Sequence, residues 1–258
     1  MQGYDDATYG EGFADVYDDW YRDISDVRTT VATLAALASG GRVLELGVGT
    51  GRLAVPLAAE GLEVHGIDSS PAMLQRLAAK AGGDAVHQTL GDMSGDGPQG
   101  LPAGPFALVF IAYNTIFGLP SAERQRDCFH NVAARLASDG LFVVEAFVPD
   151  PTHDASPRIA VRSLTVDRVV LGVSAADPSE QKAHGQYIDI TETGGVRLRP
   201  WSIRWATIEQ LDEMAAAAGF VVSERWESFD HAPFGPDSAR HVSVYRLLSP
   251  RRPPASAR

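Results

Sequence analysis

Between residues 42 and 147 the chain alternates short apolar runs with stretches whose apolar positions recur every three or four residues. That alternation is the pattern of an open parallel sheet layered with helices. Strands are predicted at 42–46, 62–67, 85–90, 106–111 and 141–147, and helices at 52–60, 71–81 and 121–138. Ser70-Pro71 supplies an N-cap and first-turn pair, and Phe129, Val132, Ala133 and Leu136 share one helical face. Pro56 removes a backbone donor, so the first of these helices should be kinked or short. From 149 to 206 the rhythm becomes purely β-like, with runs at 159–173, 184–191 and 196–205 and a Gly194-Gly195 turn between the last two. Thr207-Ile208-Glu209-Gln210 then reads as a capping box opening a helix that stops at Gly219, and strands near 221–229 and 241–247 complete the pattern.

The ends differ from this middle. Tyr9, Phe13, Val16 and Trp20 fall on one stripe of a predicted N-terminal helix, with Tyr17 and Tyr21 on its flank and Asp15, Asp18, Asp19 and Asp23 interleaved. Residues 249–258 are rich in Pro, Arg, Ser and Ala and read as a loose tail. The chain therefore divides into an aromatic segment (1–24), an α/β domain (25–148 with 207–248), an antiparallel β insert (149–206) and the tail.

Composition narrows the partners. With 22 Lys and Arg against 33 Asp and Glu, the 258-residue chain carries a formal charge of −11, which offers no footprint for nucleic acid or an anionic membrane. A single cysteine, Cys128, forbids an internal disulfide and lies between helix-spaced apolar residues, as buried filler does. No run approaches the ~20 apolar residues of a membrane span, and the first residues are acidic rather than signal-like. A cytoplasmic protein is expected. The edges of the antiparallel insert invite pairing, so a homo-oligomer is expected too.

The chemistry is concentrated in Val43-Leu44-Glu45-Leu46-Gly47-Val48-Gly49-Thr50-Gly51-Arg52, an apolar strand running into three alternating glycines. Glycines there let a nucleotide-type ligand approach the backbone at a strand-to-helix turn. A dinucleotide fingerprint, Gly-x-Gly-x-x-Gly, would need glycine at 52 or 54, where Arg52 and Ala54 stand. Acids also follow the next two strands, in Gly66-Ile67-Asp68-Ser69-Ser70 and Gly91-Asp92-Met93. In these residues the chain resembles the class I S-adenosylmethionine-dependent methyltransferases, over nearly its whole length.

The resemblance implies an α/β fold: a Rossmann-like seven-stranded sheet with helices on both faces, the antiparallel β insert, and the N-terminal segment as a helical lid. It implies S-adenosylmethionine as cofactor and S-adenosylhomocysteine as product. Glu45, Gly47, Gly49 and Gly51 would meet the methionine end, with Glu45 accepting from its α-ammonium. Asp68 would take the two ribose hydroxyls, with Ser69 and Met73 beside it. Asp92 would accept from the adenine amine and Met93 would offer its backbone amide. No metal is expected, because the aspartates form no converging ligand set.

The fourth strand runs into Ala112-Tyr113-Asn114-Thr115-Ile116-Phe117, which departs from the Asn/Asp-Pro-Pro-Tyr/Phe pattern of base and amide methyltransferases. Tyr113, Asn114 and Glu145 are expected in the acceptor pocket, with Phe117 shaping the reacting centre. Tyr17 and Tyr9 are expected to orient the acceptor and relay its proton. Together with the Tyr-Asp-Asp-Trp-Tyr run at 17–21 and the insert, these segments are similar to lincosamide antibiotic N-methyltransferases, which implies transfer to a proline-like ring nitrogen. An N- or O-methyltransferase of a deoxyaminosugar or another small natural product is the alternative, and a non-catalytic cofactor-binding protein the remote one. Amine methylation asks chiefly for a neutral lone pair held in line, about 3 Å from the methyl carbon. An amine with a pKa near 8 is about one-tenth neutral at pH 7, so an acceptor for its proton helps without being indispensable.

Overall fold

The computed structural model describes residues 1–95, 100–150 and 155–248. Seven strands form the main sheet, in the order β10-β11-β5-β4-β1-β2-β3. They are β1 (Val43–Leu46), β2 (Val64–Asp68), β3 (Val86–Leu90), β4 (Phe106–Ile111), β5 (Leu136–Phe147), β10 (Phe220–Trp226) and β11 (Arg240–Leu247). β1 to β5 pair in parallel, whereas β11 runs antiparallel to both neighbours. The order reverses between β1 and β4, and a crevice at the carboxyl ends of the strands follows from that reversal.

Helices cover both faces: α3 (Val27–Ala38), α4 (Ala54–Ala59), α5 (Pro71–Ala79), α6 (Ala122–Ala133) and α7 (Ile208–Ala217). One core layer gathers Phe129, Phe142, Phe220 and Tyr245 in mutual edge and tilted contacts, each worth about 0.5–1.5 kcal/mol beyond burial. The other packs Leu34, Leu57, Leu77, Leu108 and Phe110 on the opposite face. Ser70 caps α5 through the Met73 amide, and the Thr207–Gln210 capping box forms as expected.

Three expectations need correction. Helix α6 ends at Ala133, and Leu136, expected on its apolar face, instead opens β5 opposite Phe106. The β-rich run at 159–173 is two strands, because Thr165 closes a tight turn on Arg168 through its amide at 2.9 Å. The insert is thus a four-stranded antiparallel sheet of β6 (Arg158–Leu164), β7 (Arg168–Asp177), β8 (Lys182–Thr191) and β9 (Gly195–Arg204). At the N-terminus, one continuous helix is replaced by α1 (Thr8–Phe13) and α2 (Tyr17–Trp20), broken where Asp15 turns toward Arg197 and Arg199 of β9. α3 was not anticipated. α4 is only six residues long, with Pro56 in its first turn where an amide proton would have no helical partner. The expected tail at 249–258 lies outside the described residues.

The N-terminal segment forms a strap between the two sheets. Toward the main domain, the Ser69 hydroxyl donates to the Asp6 carbonyl (2.7 Å), and Glu11 accepts from the Ser70 hydroxyl (2.8 Å) and the Ala72 amide (3.0 Å). Asp18 accepts from Thr50 (2.6 Å) and pairs with Lys80 (3.0 Å). Gly10 packs so close to α5 that a Cβ there would collide with Ser70. Toward the second sheet, Arg199 grips Asp15 and the Gly12 carbonyl, both at 2.6 Å, and Arg162 donates to the Trp20 carbonyl at 2.8 Å. Phe13, Val16 and Tyr21 pack beneath, against Met73 and beside Tyr187 and Trp201.

Candidate active site

A cleft of about 370 Å³ opens at the carboxyl ends of β1, β2, β3 and β4, under the strap. Its first wall is backbone-rich. Gly47 and Gly49 come from the turn after β1, Asp68 and Ser69 from the end of β2, Met73 from α5, and Gly91, Asp92 and Met93 from the turn after β3. Gly47 has φ +70°, and a Cβ there would run into Thr115, so this turn requires glycine. The turn is tied to β2: Gly47 and Val48 both donate to the Ile67 carbonyl, at 2.8 and 3.0 Å. Asp68 locks it further by accepting from the Gly49 amide (2.8 Å) through one oxygen and the Ser70 amide (2.9 Å) through the other. Burial pushes the Asp68 carboxyl upward against the pull of these amides.

Asp92 is also held in place. One oxygen accepts from the amide and hydroxyl of Ser94, both at 2.9 Å, and the other is paired with Arg124, which reaches on to Asp6 of the strap at 2.9 Å. A carboxylate oxygen has two lone pairs, so acceptor capacity toward the cleft remains.

Glu45 does not line the cleft. It sits at the end of β1, 5% exposed, and its Oε2 has no hydrogen-bond partner among the described residues. Burial pushes its carboxyl up to about 8, while the Arg52 charge pulls the other way. A buried acid with one oxygen unpaired is costly, and the ammonium of a cationic ligand that reached it would offset that cost. These residues fit a ligand with an ammonium at one end and a nucleoside at the other.

The second wall is aromatic and comes from three separate segments. The strap contributes Tyr4, Tyr9, Tyr17 and Tyr21, the loop after β4 contributes Tyr113 and Asn114, and the second sheet contributes Tyr187, Trp201, Ser202 and Ile203. Tyr9 stacks on Phe13 at 4.3 Å and donates its hydroxyl to Tyr21 at 3.2 Å. Burial raises the phenols of Tyr9 and Tyr17, so both are neutral hydroxyls at physiological pH.

Tyr113 and Asn114 lie at φ +48° and +67°, in the left-handed region where non-glycine residues are strained. Glu145 holds that strained loop: its carboxylate accepts from the Tyr113 amide at 2.8 Å and its carbonyl from the Asn114 amide at 3.1 Å, while Asn114 Oδ1 accepts from the Phe147 amide at 2.7 Å.

Besides Glu45, three expected site residues therefore stand behind the cleft surface. Glu145, expected to face the crevice, is a buried brace for the 113–114 loop. Phe117 is fully buried and touches Phe147, a cleft residue, edge-on at 4.8 Å. Gly51 turns with φ +79° against Leu77 of α5 and shapes the turn from the far side. Conversely, Tyr187, Trp201, Ser202 and Ile203 escaped the sequence reading. The hint available was an aromatic residue on each of two paired strands, Tyr187 and Trp201, in an insert whose other aromatic ring is Trp205.

The comparisons agree with this geometry. A family model described as a methyltransferase domain matches residues 43–140. The chain is 38% identical to the CcbJ methyltransferase from Streptomyces caelestis over 95% of this chain and 99% of that one, with a TM-score of 0.86. S-adenosylmethionine-bound CalS10, an amino pentose methyltransferase from Micromonospora echinaspora involved in calicheamicin biosynthesis, shares the fold at 21% identity and a TM-score of 0.67, over 90% and 97% of the two chains. An uncharacterized methyltransferase of Anoxybacillus flavithermus is 36% identical over 113 residues, 43% of this chain, and the match spans about half (48%) of that curated relative.

Fold, cleft and relatives together define a methyltransferase. Matched to CcbJ over almost its full length, the chain belongs to the class I S-adenosylmethionine-dependent methyltransferases, and S-adenosylmethionine is its methyl donor. Bound in the cleft, that cofactor supplies a methyl group on a cationic sulfur. No helix among the described residues is long and apolar enough to cross a membrane.

Proposed function

We propose that the enzyme methylates a secondary amine of a small-molecule antibiotic precursor, the proline-like ring nitrogen of a lincosamide. The observation that carries this reading is the second wall: Tyr9, Tyr17, Tyr21, Tyr113, Tyr187 and Trp201 present rings and neutral hydroxyls, while the cleft's carboxylates, Asp6, Asp68 and Asp92, belong to the other end. Positive charge grows on an amine nitrogen as it is methylated, and ring faces stabilise a cation by about 0.5–2 kcal/mol without requiring a counter-ion. Tyr17 and the hydrogen-bonded Tyr9–Tyr21 pair orient the amine through neutral hydroxyls. With their phenols raised, they receive or pass on a proton by hydrogen bonding and do not act as phenolate bases. Met93 and Asp92 hold the nucleoside, Asp68 the ribose and Glu45 the ammonium of the donor.

The test offers S-adenosylmethionine labelled on its methyl to the enzyme with a prolyl-amide thiosugar, its N-methylated counterpart, and an aminosugar lacking the prolyl group. Label in the first alone supports the reading, and label in the aminosugar alone moves the assignment to deoxyaminosugars. Transfer to none of these acceptors, with the donor bound in calorimetry, overturns the amine reading. Tyr17→Phe and Tyr9→Phe are each expected to lower kcat/KM about 10-fold or more with donor affinity unchanged. Unaltered kcat/KM in both would remove these tyrosines from the mechanism.

A further inference from the structure

A polar cluster gathers at the amino ends of β1, β2 and β3, the opposite end of the sheet from the cleft. His65 and His87 are register partners on the parallel strands β2 and β3, so their side chains leave the same face, and their rings stack at 4.6 Å. Glu63 shares that face because it stands two residues before His65, and its Oε1 lies 3.0 Å from His65 Nε2. One ligand atom from each of the three lies within 4.8 Å of the other two. Phe106 holds the His65 ring from the side, edge-on at 5.3 Å. Arg42, just before β1, completes the group: its Nε donates to Glu63 Oε1 at 2.7 Å and its Nη2 stands 2.9 Å from His65 Nε2. That imidazole nitrogen is over-committed. With a proton it suits Glu63 and opposes Arg42, and without one it suits Arg42 and opposes Glu63.

We propose that Glu63, His65 and His87 form a binding site for a divalent cation of the zinc class, remote from methyl transfer. Two imidazoles and a carboxylate are a donor set that zinc accepts with its fourth position left to water, at bond lengths of about 2.0–2.2 Å. Tetrahedral ligand atoms at that radius lie about 3.4 Å apart. The Glu63–His65 pair is already near that spacing at 3.0 Å, and the widest pair, within 4.8 Å, closes by rotation of the exposed Glu63 and His87 side chains. An ion on His65 Nε2 and Glu63 Oε1 also replaces the contested contact with two bonds of one kind. Arg42 already brings positive charge to these same two atoms, so the position favours a cation. Its side chain is 32% exposed and free to yield, with the Phe106 ring at 4.8 Å and the Pro105 carbonyl at 3.5 Å as its other supports. The consequence is mechanical. β3 is an edge strand, and the ion would tie it to β2 at the amino ends of the two strands whose carboxyl ends lead to Asp68 and Asp92.

Zinc titrated into the untagged full chain in calorimetry is expected to bind as a single ion per chain. His87→Gln, at an exposed position of the edge strand, is expected to weaken that binding at least about 10-fold, as the loss of a direct ligand should. The same variant is expected to melt at the parental temperature without zinc and to keep the parental kcat/KM. Arg42→Gln acts in the opposite sense: with the competing guanidinium gone, zinc is expected to bind several-fold more tightly. Zinc is also expected to raise the parent's melting temperature, a rise that EDTA reverses and His87→Gln abolishes. No zinc binding by the parent, equal affinity in His87→Gln, or weaker binding in Arg42→Gln overturns the proposal. So do several equivalent weak sites in place of one.

Discussion

Two buried acids of this molecule invite comparison. Asp189, 5% exposed in β8, is enclosed by Arg168 (2.6 and 2.7 Å) and Arg199 (3.3 Å), and Arg199 is in turn paired with Asp15 of the strap. The side-chain hydrogen bond from Arg168, with the other guanidinium contacts, holds its carboxyl below the usual range. Glu45 is equally buried, yet one oxygen has no partner among the described residues and burial lifts its carboxyl to about 8. Equal burial thus has opposite meanings. An acid whose charge is answered within the fold belongs to the architecture, here the joint between strap and second sheet. An acid whose charge is answered only in part destabilises the protein alone, as expected of a group kept for a ligand.

The sharpest way to break this contrast is to remove one partner from the satisfied network. Arg199→Met removes the residue that joins Asp189 to Asp15, leaving them to Arg168 and Arg197 alone, and is expected to cost about 3 kcal/mol in urea unfolding, with methyl transfer lost as the strap detaches. A change within 1 kcal/mol would mean the network contributes little.

Next in size is Glu45→Gln, which should weaken S-adenosylmethionine binding by about 10- to 100-fold, the worth of a hydrogen bond to a charged group. It should also act in the opposite direction on the protein alone. Between the unfolded value near 4.5 and the folded value of about 8, the unfolded chain ionises Glu45 while the native state retains the proton, so stability falls as pH rises through that window. The glutamine variant is expected to flatten that fall and to melt above the parent at pH 8. Because the donor's ammonium favours the carboxylate, parental affinity should rise toward pH 8 in calorimetry and the variant's should not. Equal pH profiles would deny Glu45 this role.

The smallest effect is expected at Phe117, which stands behind Phe147. Phe117→Leu should cost about 1–2 kcal/mol in stability and leave kcat nearly unchanged. A many-fold loss of kcat with stability preserved would return that ring to the reacting centre.

What could be read in the sequence was what is local. The turn from β1 through Gly47 and Gly49, the acids after β2 and β3, and the capping box at Thr207 are each encoded within a few residues, and the first two carry the family resemblance that points to the donor half of the cleft. The acceptor half is not local. Tyr9, Tyr113 and Tyr187 meet only because the strap, the β4 loop and the second sheet converge, and no spacing along the chain records that convergence. Single-residue errors follow the same logic. Phe117 and Glu145 lie at the right end of the right strands, but whether a side chain faces the cleft or braces the loop behind it depends on backbone torsions such as the left-handed pair at Tyr113 and Asn114. The division of 159–173 was missed because Thr165-Val166-Asp167 includes the β-formers Thr and Val, although it forms a turn.

The strap's attachments have a kinetic consequence for donor binding. Glu11, Asp6 and Asp18 fasten it to the main domain beside the cleft, and a segment fastened alike before and after binding slows entry and escape together. Such a change of both rates leaves the equilibrium affinity where it was. Loosening the fastening is therefore expected to speed donor exchange while impairing the alignment on which methyl transfer depends, so exchange and turnover need not improve together.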